Sequence, residues 1–310
     1  KKMNLEEHFN PKKTSHLIGY NDKFNFLNDL ILKEKLPKVL MLTGDRGIGK
    51  ATLIFHLLHN YFSHSNYDIK NNKILSKNSF YNQLIDNLYP NIDYLSGEDF
   101  KNIKIDEIRK LKNKLMNTPL NNNKRFIILD DVEVFNINCL NALLKIIEEP
   151  GKNNYFILIN NKTKSIIQTL YSRCIDIKLI LGNSLREQIT SILLTNFDQK
   201  QIIDDKYCKI SPGNFLKYNY FFFQNEIDVD DDFSINVKNI LSIYKKEKSY
   251  FYKDLLFFLS EYNLIKKRSE KIYDNQSFIS KRSFIMKNIN DFFLYNLNQK
   301  TLLNSLEGLI

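Results

Sequence analysis

The chain has 310 residues, with 45 lysines and arginines against 35 aspartates and glutamates and a formal net charge of +10. Hydrophobic residues make up 43% and charged residues 26%, which excludes disorder throughout; the length predicts about two or three domains. The basic balance permits contact with nucleic acid without establishing it.

No apolar run approaches the length needed to span a bilayer, and no signal-peptide pattern opens the chain. Cys139, Cys174 and Cys208 stand too far apart for a disulfide framework or a four-cysteine zinc module. The expectation is a cytoplasmic protein with no membrane contact and no zinc. The chain opens Lys1-Lys2-Met3, so its natural start is expected at Met3 or upstream.

The first half alternates short apolar runs with helical patterns. Val39 to Leu42 predicts a buried strand, and Leu53, Ile54, Leu57, Leu58 and Tyr61 form a helical stripe after it. Residues 64–80 are polar and irregular and predict a loop or insertion. Ile92 to Leu95 predicts a strand; Ile105, Ile108, Leu111 and Leu115 predict a helix stopped near Thr118-Pro119. Phe126 to Leu129 is a continuous apolar strand. Leu140, Leu143, Leu144 and Ile147 repeat at helical spacing before Pro150-Gly151, and Tyr155 to Ile159 is another strand. Strands alternating with helices imply a parallel sheet covered on both faces.

After about residue 180 the pattern is helical: Leu185 to Leu194, Gln199 to Cys208, and a helix after Ser211-Pro212-Gly213. Asp228, Asp230, Asp231 and Asp232 predict a linker or helix start; partner ligands for a metal are lacking. Residues 236–310 predict three or four amphipathic helices. The clusters Lys245-Lys246-Lys248 and Lys266-Lys267-Arg268 are expected to be solvated faces.

Three of the nine glycines, Gly44, Gly47 and Gly49, lie within six positions. The run Thr43-Gly44-Asp45-Arg46-Gly47-Ile48-Gly49-Lys50-Ala51-Thr52 follows a strand and opens a helix, the context of a phosphate-binding loop. Glycines let backbone N–H groups face phosphate oxygens, the helix N-terminus adds positive potential, and Lys50 would reach the β- and γ-phosphates. Ala51 stands where a serine or threonine normally ligates Mg²⁺. Thr52 is one residue on and points about 100° away on a helix. The loop is either a nucleotide site or a phosphate loop kept for its shape. Asp130, at the end of the strand from Arg125, fits the Walker B position that holds a metal's water shell. Asp131 follows where a hydrolytic enzyme places a glutamate, and is one methylene shorter; Glu133 is expected to face elsewhere.

Further runs carry a resemblance. They are Leu17-Ile18-Gly19-Tyr20, Ile105-Asp106-Glu107-Ile108-Arg109, Asn117-Thr118-Pro119, Asn141-Ala142-Leu143-Leu144-Lys145-Ile146-Ile147-Glu148-Glu149-Pro150, Ser172-Arg173-Cys174 and Ser211-Pro212-Gly213. In that order and spacing, over roughly residues 15–220, the chain resembles the bacterial clamp-loader branch of the AAA+ proteins. Within the branch it looks most like the delta-prime subunits of DNA polymerase III, with the gamma/tau subunits next.

The resemblance implies a RecA-like AAA+ P-loop module with a parallel sheet over residues 1–180, a small helical lid over 181–232 and an all-helical collar over 233–310. It implies a subunit of a replicative clamp loader in DNA replication, with gamma/tau-type and delta-type subunits, the sliding clamp and primer-template DNA as partners. In such a subunit Arg173 is a finger that enters a neighbour's ATP site; the plain alternative is an arginine satisfying carbonyls at a helix C-terminus. Gly44, Gly47, Gly49, Lys50, Thr52, Asp130 and Asn160 are the candidate nucleotide contacts of the chain's own site. Asn160 matches a sensor position, although a strand-end asparagine also serves plain turns. Asn214 stands where active relatives place an arginine after the Ser-Pro-Gly turn, and Lys217 lies about one turn later.

Ala51, Asp131 and Asn214 thus depart together while Arg173 is kept. ATP is expected to bind this chain's own site weakly or not at all, with no Mg²⁺ unless a partner helps. The chain is not expected to be an ATPase alone. The alternatives are an ATP-hydrolysing gamma/tau-type subunit or another AAA+ protein that remodels DNA. Glu148 and Glu149 oppose the dipole at their helix C-terminus and predict a tertiary partner, a neighbouring subunit among the candidates. Cys174 is expected to be a small packed residue, not a reactive thiol.

Overall fold

The computed structural model describes residues 8–97, 105–117, 119, 123–247 and 249–309. Lys1 to Met3, Thr118 and Lys248, all used above, lie outside the described residues. The chain divides into two units, Lys1–Ile189 and Thr190–Ile310.

The first unit is built on strands β1 (Val39–Thr43), β4 (Ile92–Ser96), β5 (Arg125–Asp130), β6 (Asn154–Asn160) and β7 (Ile175–Lys178). They pair in the order β4-β5-β6-β1-β7, and every pairing is parallel. Helices α1 (Asn21–Leu32), α2 (Lys50–Phe62), α3 (Ser79–Ile85), α4 (Ile105–Leu115), α5 (Ile137–Glu148) and α6 (Gln168–Tyr171) connect and flank them.

Side chains alternate across each strand, so one apolar run serves two cores. Leu40, Leu42, Phe126, Ile128, Ile157 and Ile159 face Phe24 and Leu27 of α1 and Leu53, Leu57 and Leu58 of α2. Val39, Met41, Ile127, Leu129, Phe156 and Leu158 face Ile108 and Leu111 of α4 and Leu140, Leu143 and Ile147 of α5. This is why β1, β5 and β6 read as unbroken hydrophobic runs. Each fully buried Leu, Ile or Phe contributes about 1.5–3 kcal/mol.

Residues 64–80 are not simply a loop. Strands β2 (Tyr67–Asp68) and β3 (Lys73–Ile74) pair antiparallel there. Asn78 then caps α3 by accepting from the Tyr81 N–H at 3.0 Å.

In the second part of the chain, α7 (Asn183–Asn196) is followed by α8 (Pro212–Gln224), α9 (Phe233–Glu247), α10 (Phe251–Ser269), α11 (Asn275–Tyr295) and α12 (Gln299–Leu306). The helix expected over Gln199 to Cys208 does not form; only a 3₁₀ turn, Asp205–Tyr207, occurs. The reason is local. The buried Asn219 side chain on α8 accepts from the Ile202 and Ile203 N–H groups at 2.7 and 3.3 Å and donates to the Lys200 carbonyl at 2.9 Å. Those backbone groups are thereby satisfied outside a helix. Asp232 accepts from the Ser234 and Ile235 N–H groups at the start of α9, and Asp230 pairs with Lys266 at 2.7 Å. The acidic run is therefore a helix start. Lys245 and Lys246 are exposed on α9.

A parallel sheet with helices on both faces, followed by a helical region, is the architecture that the AAA+ resemblance implied. Among the described residues no helix is long and apolar enough to cross a membrane.

Candidate functional site

β1 delivers the chain at Thr43 into the glycine loop, and α2 starts at Lys50. Gly47 and Gly49 have φ of +82° and +96°, a region that side chains other than glycine rarely adopt, and Gly49 is the N-cap of α2. Gly44 has a different constraint. A Cβ there would stand 2.5 Å from the Leu179 carbonyl oxygen and 2.5 Å from Ile48 Cδ1. The loop is tied to the next strand by the Gly44 N–H, which donates to the Asn160 carbonyl at 3.2 Å.

Lys50 is 3% exposed. Its Nζ donates to the Gly44 carbonyl at 2.6 Å and the Asp45 carbonyl at 2.8 Å. Burial lowers its pKa to about 8, against the opposing pull of Asp130, Glu133, Asp131 and Asp45. Ala51 packs its methyl on the core, and Thr52 is half-buried in the first turn of α2.

Asp130 ends β5. Its Oδ2 accepts from the Tyr94 hydroxyl of β4 at 3.0 Å, and its Oδ1 accepts from the Asp131 N–H at 2.9 Å. Burial, and then the neighbouring Asp131, push its carboxyl up to about 7. Asp131 is buried in a left-handed conformation at φ 53°. Its Oδ1 is 2.6 Å from the Arg46 guanidinium of the loop and accepts from Asn161 Nδ2 at 2.6 Å.

The structure thus brings Gly44, Gly47, Gly49, Lys50, Asp130 and Asn160 to the C-terminal ends of β1, β5 and β6. Asn160 itself is spent locally, because its Oδ1 accepts from the Lys162 N–H at 2.9 Å in a turn. The amide that reaches the carboxylates is Asn161, a residue that sequence reading missed. The pair Asn160-Asn161 was the available signal, and the strand's length decides which one faces the loop. Glu133 is buried rather than turned out to solvent: Oε1 accepts from the Asn161 N–H at 3.1 Å and from Thr163 Oγ1 at 2.8 Å, while Oε2 has no hydrogen-bond partner. Its charge is nevertheless felt by Lys50.

Arg173 lies elsewhere, between α6 and β7. Its NH2 is 2.6 Å from Glu148 Oε1, Nε donates to the same oxygen at 2.9 Å, and NH1 donates to the Thr169 carbonyl at 2.8 Å. The side chain is 38% exposed. Glu148 therefore has its tertiary partner within the chain. Cys174 donates to the Leu170 carbonyl, and burial pushes its thiol up to about 12, which favours the protonated form. Asn214 and Lys217 are half-buried on α8.

The loop suits a nucleotide's phosphates through its backbone and Lys50. Mg²⁺ does not fit. Position 51 offers no hydroxyl, and Asp130 and Asp131 are committed to Tyr94, Arg46 and Asn161. Among the described residues no cluster of three or more His, Cys, Asp or Glu could hold a metal ion.

Residues 19–181 match the family described as "DNA polymerase III, delta subunit". A DNA polymerase III subunit delta' from Buchnera aphidicola subsp. Baizongia pistaciae is 31% identical over 43% of this chain and 40% of its own. The Bacillus subtilis DNA polymerase III subunit tau is 29% identical over 60% of this chain and 32% of its own. The chain thus matches less than two thirds of the length of these relatives. A solved DNA polymerase III gamma subunit-related protein from Thermotoga maritima superposes with a TM-score of 0.50 at 17% identity, covering 92% of this chain and 97% of that one. That last likeness shows the fold.

Proposed function

The chain belongs to the DNA polymerase III, delta subunit family, and from that premise we propose that it is a delta-prime-like clamp-loader subunit. It completes a neighbour's ATP site with Arg173 and does not hydrolyse ATP in its own. Gamma/tau-type and delta-type subunits are its partners, and the assembly loads the sliding clamp on primed DNA.

The observation that carries this reading is the Arg46–Asp131 contact at 2.6 Å. The acid that follows Asp130, where a hydrolytic subunit needs a base to polarise water, is neutralised by the chain's own phosphate loop. Asn161 holds the same oxygen. With Ala51 next to Lys50, neither the metal's ligand nor the water's base is at hand.

Arg173 has the opposite properties. It is exposed, its planar fork suits phosphate, and its present partner is an exposed carboxylate. Such a pair is worth about 0–1 kcal/mol. An arginine supplied in trans to a phosphoryl-transfer site is worth ~10³–10⁵ in rate, or about 4–7 kcal/mol. Exchange of Glu148 for the charge that develops on a neighbour's γ-phosphate in the transition state is therefore favourable.

The test is reconstitution with gamma/tau-type and delta-type subunits, reading clamp-dependent, DNA-stimulated ATP turnover. Assembly and turnover that require this chain support the proposal. A complex equally active without it overturns the proposal.

A further inference from the structure

Arg173 sits in the short turn between two anchored elements. Before it, α6 is a single helical turn pinned by the fully buried Leu170. After it, β7 pairs with β1, with Ile175 beside Leu40 and Asp176 beside Met41. The backbone of the turn is fastened to α6. The Ser172 N–H donates to the Gln168 carbonyl at 2.9 Å, the Arg173 N–H to the Leu170 carbonyl at 3.2 Å and the Cys174 N–H to the Tyr171 carbonyl at 3.3 Å. The last two lie at the long end of the usual range, so the backbone alone grips the turn loosely. The Arg173 side chain also leans on α6, through NH1 and the Thr169 carbonyl. Its direction therefore follows the angle at which α6 meets β7.

A side-chain contact spans that angle. Tyr171, the last residue of α6, donates its hydroxyl to Oδ2 of Asp176, the second residue of β7, at 2.7 Å. The acceptor is a carboxylate, which makes the hydrogen bond one of the stronger class. Oδ1 of the same carboxylate is buried and has no hydrogen-bond partner. Asp176 is thus partly withdrawn from water, and loss of the Tyr171 hydroxyl would leave it poorly satisfied. The hydrogen bond to Asp176 and the charge of that residue raise the pKa of the Tyr171 hydroxyl, which keeps it a donor. Packing does not account for the tyrosine, because the residue is 43% exposed.

We propose that Tyr171 is a positioning residue for Arg173: its hydroxyl, bound to Asp176, fixes the angle between α6 and β7 and so aims the guanidinium at the neighbour's γ-phosphate. The inference rests on the in-trans role of Arg173 proposed above. Tyr171 itself touches no nucleotide and acts through the arginine. A finger displaced by ~1 Å loses much of its effect on the charge that develops during phosphoryl transfer. The neighbour's hold on ground-state ATP does not depend on that placement, so the brace bears on kcat and not on KM.

The test is steady-state ATP turnover of the reconstituted complex carrying Tyr171→Phe, Arg173→Ala or both, with assembly measured on the same samples. Tyr171→Phe removes one oxygen and keeps the ring. It is expected to lower kcat about three- to fivefold with KM for ATP within about twofold, and to cause no further loss when added to Arg173→Ala. A packing role for Tyr171 would lower turnover by the same factor in both backgrounds, and that result overturns the inference. Asp176→Ala breaks the same contact from the other end and is expected to match Tyr171→Phe, while Asp176→Asn, which keeps an acceptor oxygen, loses less. A complex that loses turnover with Arg173→Ala but not with Tyr171→Phe or Asp176→Ala overturns this inference and leaves the in-trans role standing. Unchanged turnover with Arg173→Ala removes the in-trans role and this inference with it. If the Tyr171→Phe chain fails to assemble, the two Asp176 variants decide.

Discussion

Arg173 and Glu148 form a two-donor contact: NH2 and Nε both reach Glu148 Oε1, at 2.6 and 2.9 Å. Glu148 is the last residue of α5, where a carboxylate opposes the helix dipole. Arg173 offsets that charge, and its NH1 also donates to the Thr169 carbonyl at 2.8 Å. The pair holds the guanidinium in an exposed position, and the proposed function requires that a neighbouring subunit take it from there.

If Glu148 only stores the guanidinium, weakening its grip should not harm the complex. Glu148→Gln keeps an acceptor and removes the charge. Turnover of the reconstituted complex is expected to stay level or rise by no more than about fivefold, the scale of one exposed ion pair. A large loss in the steady-state ATPase assay would show that Glu148 acts in turnover itself.

Lengthening the acid should not restore hydrolysis. Asp131→Glu supplies the missing methylene, but Arg46 and Asn161 remain against that carboxylate and Ala51 still lacks a hydroxyl. The lone Asp131→Glu chain is expected to show no ATP turnover above background in a phosphate-release assay. Measurable turnover would show that side-chain length was the only defect.

Acid should destabilise the first unit through α2. His56 and His59 are buried and neutral, and burial lowers them from 6.5 to about 3 and about 4. The unfolded chain therefore takes up these protons at a higher pH than the folded one. Their contribution to stability is full above about pH 6.5 and is lost as pH falls toward 4 and 3, at about 1.4 kcal/mol per unit for each group. Both ring nitrogens of His59 lack a partner beside Phe80 and Tyr81. His59→Leu is expected to narrow the gap between urea midpoints measured at pH 7.5 and pH 5, and an unchanged gap would refute the assignment.

Gly44→Ala should be costly for a steric reason. The new methyl would meet the Leu179 carbonyl, which is fixed backbone beyond β7. The Leu179 N–H is itself bound to the Thr43 carbonyl at 2.8 Å. A loss of ~1–3 kcal/mol is expected from urea unfolding.

The legible parts of the chain were those where one physical requirement dominates. Residues 126–129 and 155–159 must be apolar on alternating faces because both faces of the sheet are covered, and they read directly as strands. The glycines at 44, 47 and 49 answer to backbone geometry and marked the loop. Less legible were elements whose cause lies far along the chain. Ile202 and Ile203 look helical until Asn219, on another helix, binds their N–H groups. The two-residue strands at Tyr67 and Lys73 are too short to carry a period. Arg46 stands at a position of the loop motif that accepts any residue, so its pairing with Asp131 is visible only in three dimensions.

The most direct test of a subunit that lends its arginine is Arg173→Ala in the reconstituted complex, with ATP turnover and assembly measured on the same sample. The predicted result is an intact complex whose turnover falls steeply because one neighbouring site has lost its finger. Turnover equal to that of the unmodified complex, with assembly unchanged, would contradict it.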